Sequence, residues 1–232
     1  MRGKTAVFGS RKKIKYGREH WRLLDEKRDI ALEIMEALAS HGIDSVVYGS
    51  VARGDVRRAS DVDIFIPTAM PSYKIELALQ DYMILEKRII QATPNYAIKG
   101  EIVLENANVS FPLVKMKDKE MDFYRFGGCV DIESLKSRKR CPGVDKRLVL
   151  IIPLSDGHYE IPANELDASE LAGFLGVGIE IVRERFRVLE RRREIGRTGV
   201  FVSEIVHDFE SFETKLKEII ERNPLVKRRL VL

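Results

Sequence analysis

Cysteine is almost missing from this chain: only Cys129 and Cys141 occur among 232 residues, and no CxxC spacing joins them. That excludes the disulfide framework of small secreted domains and leaves two reduced thiols as the expectation. Histidine is nearly as scarce. His20, His41, His158 and His207 are scattered, with no pair at the spacing of a structural zinc site. Long apolar runs are lacking as well, and stretches such as 148–153 fall far short of a bilayer span. The start, Met1-Arg2-Gly3-Lys4, is basic without the apolar segment of a secretion signal, so a cytoplasmic location without a membrane partner is expected. No GxxxxGK followed by Ser or Thr is present, which removes the P-loop class.

What is abundant is charge. Charged residues make up 33% and hydrophobic residues 44%, the balance of a globular protein with a highly charged surface. The net charge of +4 is modest, but basic residues crowd into 136–147, 183–197 and 227–229. Such clusters suit phosphates, or else form a solvated ionic surface of the kind thermophiles use.

Apolar spacing predicts a helix over 21–40, with Trp21, Leu24, Ala31, Ile34, Met35 and Leu38 on one side and a stop at His41-Gly42. Strands are expected over 44–48 and 61–66, and helical spacing returns over 71–85. From 88 to 126 the texture is that of strands, at 89–90, 97–104, 109–114 and 121–126, separated by turn residues. A strand pair over 148–154 and 158–161 turns at Ser155-Asp156-Gly157. Helical patterns at 167–174, 179–189 and 209–221 follow. The expected class is mixed α/β with a C-terminal helical, winged-helix-like domain, divided as 1–145 and 146–232.

One segment carries chemistry. Val46-Val47-Tyr48-Gly49-Ser50-Val51-Ala52-Arg53-Gly54 reads as a strand, a turn and a short helix, and Ser60-Asp61-Val62-Asp63-Ile64-Phe65-Ile66 as a second strand. Residues two apart on a strand share a face, so Asp61 and Asp63 project together while Val62, Ile64 and Ile66 turn into a core. Adjacent carboxylates are costly unless a positive charge sits between them, and Mg²⁺ takes one or two carboxylates with phosphate oxygens at about 2.0–2.1 Å. Gly49 permits close backbone approach, and the Gly49-Ser50 turn offers N–H groups and a hydroxyl to phosphate. Arg53 stands one turn on, within reach of a phosphate or of the acidic pair. Val7-Phe8-Gly9-Ser10-Arg11 begins in the same way but no Asp-x-Asp follows, so it reads as a turn.

These residues resemble the DNA polymerase β-like nucleotidyltransferase superfamily, with its hydrophobic-Gly-Ser followed by Asp-x-Asp. The form Gly-Ser-x-Ala-Arg-Gly with Ser-Asp-x-Asp is similar to that of small transferases and archaeal CCA-adding enzymes, and the whole chain resembles archaeal predicted nucleotidyltransferases. The resemblance is strong over 43–67, loose to about 126 and absent beyond. It implies transfer of a nucleoside monophosphate from an NTP to a hydroxyl, with RNA among the acceptors. Asp61 and Asp63 would carry two Mg²⁺ ions, or Mn²⁺, about 3.5–4 Å apart, and Gly49 and Ser50 would hold the triphosphate.

The family's third acid falls near Ser110, and serine replaces a carboxylate neither as base nor as strong ligand. Glu101, Glu105 and Asp122 are the candidates; Asp122, in the alternating run Glu120-Met121-Asp122-Phe123-Tyr124, is favoured as an added catalytic residue.

A second signal lies at 167–202. A short helix over 168–175, the turn Gly176-Val177-Gly178 and a helix over 179–191 form a helix-turn-helix pattern. Arg183, Arg185 and Arg187 are expected to face outward onto RNA or DNA phosphates, and Gly196-Arg197-Thr198-Gly199 with Val200-Phe201-Val202 to form a wing. Glu180, Glu184, Glu190 and Glu194 lie among those arginines, which also fits an exposed salt-bridged helix. Two further functions stay open: a nucleic-acid-binding regulator with the fold kept as a nucleotide sensor, and transfer onto a protein or small-molecule hydroxyl.

Overall fold

The computed structural model describes residues 11–196 and 199–231. In chain order these form β1 (Lys12–Lys15), α1 (Arg18–Ser40), β2 (Val46–Tyr48), α2 (Ser50–Arg53), β3 (Asp63–Phe65), α3 (Ser72–Ala78), β4 (Ile84–Gln91), β5 (Lys99–Leu104) and β6 (Asn108–Pro112). Then come α4 (Asp118–Gly127), β7 (Cys129–Asp131), α5 (Ile132–Lys136), β8 (Gly143–Val144), β9 (Val149–Leu154) and β10 (Gly157–Pro162). The remainder is α6 (Ala168–Leu175), α7 (Ile179–Ile195), β11 (Val202–Ile205), α8 (Phe212–Arg222) and α9 (Pro224–Val231). The architecture is mixed α/β with a helical C-terminal region, as expected. No helix among the described residues is long and apolar enough to cross a membrane.

The described residues divide into two compact units, each drawn from three stretches of chain. The first takes from Met1–Asp29, Val47–Ser60 and Met121–Thr198, the second from Ile30–Val46, Asp61–Glu120 and Gly199–Leu232. Helix α1 contributes to both, and its apolar positions Leu24, Ala31, Ile34, Met35 and Leu38 are all buried, as their spacing predicts.

In the second unit the strands run in the order β11-β4-β5-β6-β3, with every pair antiparallel except β3 with β6. Side chains alternate between faces, so the register sorts them. Ile64, Val109, Ile102 and Ile89 occupy one face and are fully buried. Phe111 lies there too, and Phe212 of α8 meets its ring edge-on at 5.0 Å. Burial of each such side chain contributes roughly 1.5–3 kcal/mol. Gly100 is paired with Phe111, and a Cβ on it would sit 2.4 Å from that ring. A glycine is thus what lets the phenylalanine lie flat across the strand.

The first unit holds the antiparallel sheet β1-β10-β9-β8, whose β9–β10 hairpin turns at Ser155-Asp156. Leu148 and Leu150 pack with Phe126, Leu171, Ile181 and Val182 into one core, so α6 and α7 are fastened to this sheet.

Three expected elements differ. The helix expected over 71–85 stops at Ala78, and 84–91 becomes β4, because pairing with β5 outweighs the local helical spacing. The expected strand 121–126 is part of helix α4. The expected wing is not formed by 200–202: β11 pairs with β4 of the second unit's sheet. Arg197 and Thr198 of that wing, and the Gly9-Ser10 turn, lie outside the described residues.

Candidate active site

The second unit presents a polar sheet face opposite its core. Asp63 pairs in register with Asn108, which pairs with Val103; the next row is Phe65, Ser110 and Glu101, followed by Arg88 on β4. One row further, Pro112 pairs with Lys99. Asp63, Asn108, Lys99, Glu101 and Arg88 therefore share one face, and each is only half-buried. Asp61 precedes β3 and is exposed, whereas Val62, Ile64 and Ile66 are buried. The backbone around Asp63 is hydrogen-bonded on both sides: Asn108 N–H donates to Val62 O at 2.8 Å and Ile66 N–H to Ser110 O at 2.9 Å.

Ser110, where the family expects its third acid, is buried, and its hydroxyl donates to Ile64 O at 3.4 Å. Glu101 stands beside it on the same face and is ion-paired with Arg88 Nε at 2.5 Å. Glu105 is exposed in the turn after β5. Burial holds the Lys99 ammonium below the usual lysine range, against the pull of Glu101, Asp63 and Glu120.

Asp122 needs a correction. It sits on a helix, not on an alternating strand, and its carboxylate accepts from Gly178 N–H at 2.8 Å and from Arg125 at 3.3 Å. Both are contacts within the first unit. A carboxylate at the N-terminus of α7 satisfies an orphan N–H and opposes the helix dipole. The sequence carried a hint of helix here: Glu120 accepts from Lys117 N–H at 2.7 Å, the return half of a capping box.

The Gly-Ser turn belongs to the first unit. Strand β2 ends at Gly49, whose φ of 77° suits glycine, and α2 begins at Ser50. Gly49 N–H donates to Gly128 O at 2.8 Å, and Cys141 N–H to Ala52 O at 3.3 Å, so the turn is clamped from both sides. The first N–H groups of α2 precede any intrahelical acceptor. Arg53 corrects the expectation of a phosphate-reaching side chain. It is buried, holds Asp55 through Nε at 3.0 Å and Nη2 at 3.1 Å, and donates from Nη1 to Gly127 O at 2.5 Å. Its work is to brace the segment that carries Gly49 and Ser50.

The helical hairpin forms as read. Asp167 caps α6 through Ser169 and Glu170 N–H, Gly176 closes it, and α7 starts after Gly178. Arg183 and Arg187 are exposed. Arg185 is not outward-facing, since its guanidinium stacks over the Phe123 ring at 4.9 Å.

Among the described residues no three His, Cys, Asp or Glu side chains converge as a metal cluster. The donors at hand are the oxygens of Asp61 and Asp63, which suit a hard cation that completes its shell with phosphate and water. Residues 28–124 match the family model described as a nucleotidyltransferase domain. That stretch is a nucleotidyltransferase domain of the DNA polymerase β-like kind, whose general chemistry is nucleotidyl transfer. Comparison with curated proteins and with solved structures gives no match.

Proposed function

We propose that the protein moves a nucleoside monophosphate from an NTP to a hydroxyl acceptor, an RNA end foremost, with Mg²⁺ bound by Asp61 and Asp63. The observation that carries this reading is the half-open polar face on which β3 presents Asp63 over a buried core. Residues 51–60 separate the Gly-Ser turn from Asp61, and the matched domain includes both stretches.

In this reading Asp61 and Asp63 would hold two divalent ions, Mg²⁺ or Mn²⁺, which when bound would supply positive charge to the reacting phosphate. Gly49 and Ser50 receive the triphosphate through backbone N–H groups and the hydroxyl. The acceptor oxygen bonds to the α-phosphorus as the bond to pyrophosphate breaks. Its proton goes to Glu101, which we assign as helper in place of Asp122 because it shares the face of Asp63. The Arg88 ion pair orients Glu101 on that face.

The test is incubation with each α-labelled NTP, Mg²⁺, total RNA and total protein, with separation of what becomes labelled. Asp63→Asn reduces labelling to background if the reading holds; full labelling by that variant ends it. Label on protein or a small molecule instead of RNA reassigns the acceptor.

The α6–α7 hairpin favours a second reading, a nucleic-acid-binding regulator that senses a nucleotide. Against it, Glu180, Glu184, Glu190 and Glu194 recur at the helical spacing of Arg183, Arg187 and Arg191, so much of the arginine charge on α7 is offset within the helix. Binding that falls steeply with salt, with no label transfer, would select it.

A further inference from the structure

Neighbouring carboxylates need a positive charge near them, and the polar face of the second unit already contains one. Lys99 projects from β5 on the face of Asp63 and Glu101, its register partner being Pro112 of β6. Its ammonium lies in the field of three acids, Glu101, Asp63 and Glu120. Two of these have an arginine of their own. Glu101 is held by Arg88 Nε at 2.5 Å, and Glu120 by Arg229 Nη2 at 2.7 and 3.0 Å. Asp63 is the third, on the same face in the row of Asn108.

The geometry points to Lys99 as the built-in counter-ion of Asp63, which keeps the acidic face neutral until a divalent cation displaces the ammonium. The pairing stands on the fold alone; the displacement rests on the reading of Asp63 as a metal ligand. An ammonium on a four-carbon stem suits this task, because it can swing away from a carboxylate without breaking the strand that carries it. It also offers the freed charge to a phosphate arriving with the metal. The face would thus exchange one cation for another and never hold bare, half-buried carboxylates, whose desolvation is costly. Metal affinity is correspondingly lower than the two aspartates alone would give, since each ion must compete with a tethered one.

Two measurements on the full chain test this. In EDTA, urea unfolding of Lys99→Met, Asp63→Asn and the double variant forms a cycle. Lys99→Met and Asp63→Asn should each lower the midpoint, and the double variant should fall no further. Mn²⁺ titration followed by the electron paramagnetic resonance of the free ion should show Lys99→Met binding about tenfold tighter than the parent. Lys99→Arg should stay near the parent, and Asp63→Asn should lose the site. An additive cycle overturns the pairing, even where Asp63-dependent Mn²⁺ binding and label transfer stand. A coupled cycle with unchanged or weaker Mn²⁺ binding in Lys99→Met overturns the displacement. Absence of Mn²⁺ binding in every variant, with a coupled cycle, refutes the metal reading and leaves the ion pair as a purely structural one.

Discussion

In the first unit 27 Lys and Arg stand against 18 Asp and Glu, whereas in the second 13 stand against 18. The modest net charge of the chain conceals this division. The acidic unit carries Asp61, Asp63 and Glu101, and its field draws cations. The basic unit carries the Gly-Ser turn, and its field draws anions.

The units also bury different polar groups. In the second, Glu120 and Arg229 are both almost wholly buried, and Glu120 accepts from Ala97 N–H at 2.5 Å and Lys117 N–H at 2.7 Å besides the guanidinium. The first unit buries Arg28 and Arg53, the latter held by Asp55, together with His158, whose Nδ1 meets Tyr16 Oη at 2.5 Å and whose Nε2 has no hydrogen-bond partner. Burial holds His158 below the ordinary imidazole range and pushes the Tyr16 hydroxyl above its own. Both units therefore keep a paired charge inside, and the first adds a buried imidazole.

Four changes would break or sharpen this contrast. The largest effect is expected from Arg229→Met, which strands the Glu120 carboxylate and destabilises the second unit by roughly 3–5 kcal/mol. Arg229→Met with Glu120→Gln should recover much of that loss, as read from hydrogen exchange of peptides in 99–112. If the single change costs no more than the double, the buried charge is not what holds the unit. Next comes Gly100→Ala, which forces the Phe111 ring off β5 and should cost roughly 1–3 kcal/mol by urea unfolding.

A smaller loss, about 1 kcal/mol, is expected for Asp122→Ala, because it uncaps α7 in the first unit. Exchange should accelerate around 178–181, while label transfer persists; its disappearance would restore Asp122 as a catalytic candidate. The smallest effect is on pH. His158 titrates below its ordinary 6.5 when folded, so the unfolded chain takes up the proton first. This contribution to stability is fully present above about 6.5 and declines as pH falls below it. His158→Gln should flatten that decline in the first unit; an identical acid profile in the variant would exclude His158 as its source.

Much of this was readable in the sequence where local pattern and tertiary demand agree. Helix α1 announced itself through Leu24, Ala31, Ile34, Met35 and Leu38, and the hairpin of α6 and α7 through Asp167, Gly176 and Gly178. The Gly49-Ser50 turn and Asp63 strand followed from spacing. What failed depended on contacts far along the chain. Residues 121–126 alternate like a strand, but Tyr124 and Phe126 are buried while Asp122 reaches Gly178, 56 residues on. Arg53 looked like a phosphate ligand because nothing local reveals that Asp55 and Gly127 O already occupy it. Lys99 escaped notice altogether, since only register places it beside the acids.

The Glu120–Arg229 pair also bears on how the protein is made. Its members are 109 residues apart, and β11, which extends the same sheet, is also encoded late. As the chain leaves the ribosome, 61–120 emerges with a buried carboxylate still awaiting its arginine and a sheet edge still open. The second unit therefore completes its folding only once 229 has emerged. A shortened gene that stops at residue 124, where the matched domain ends, would leave that state permanent.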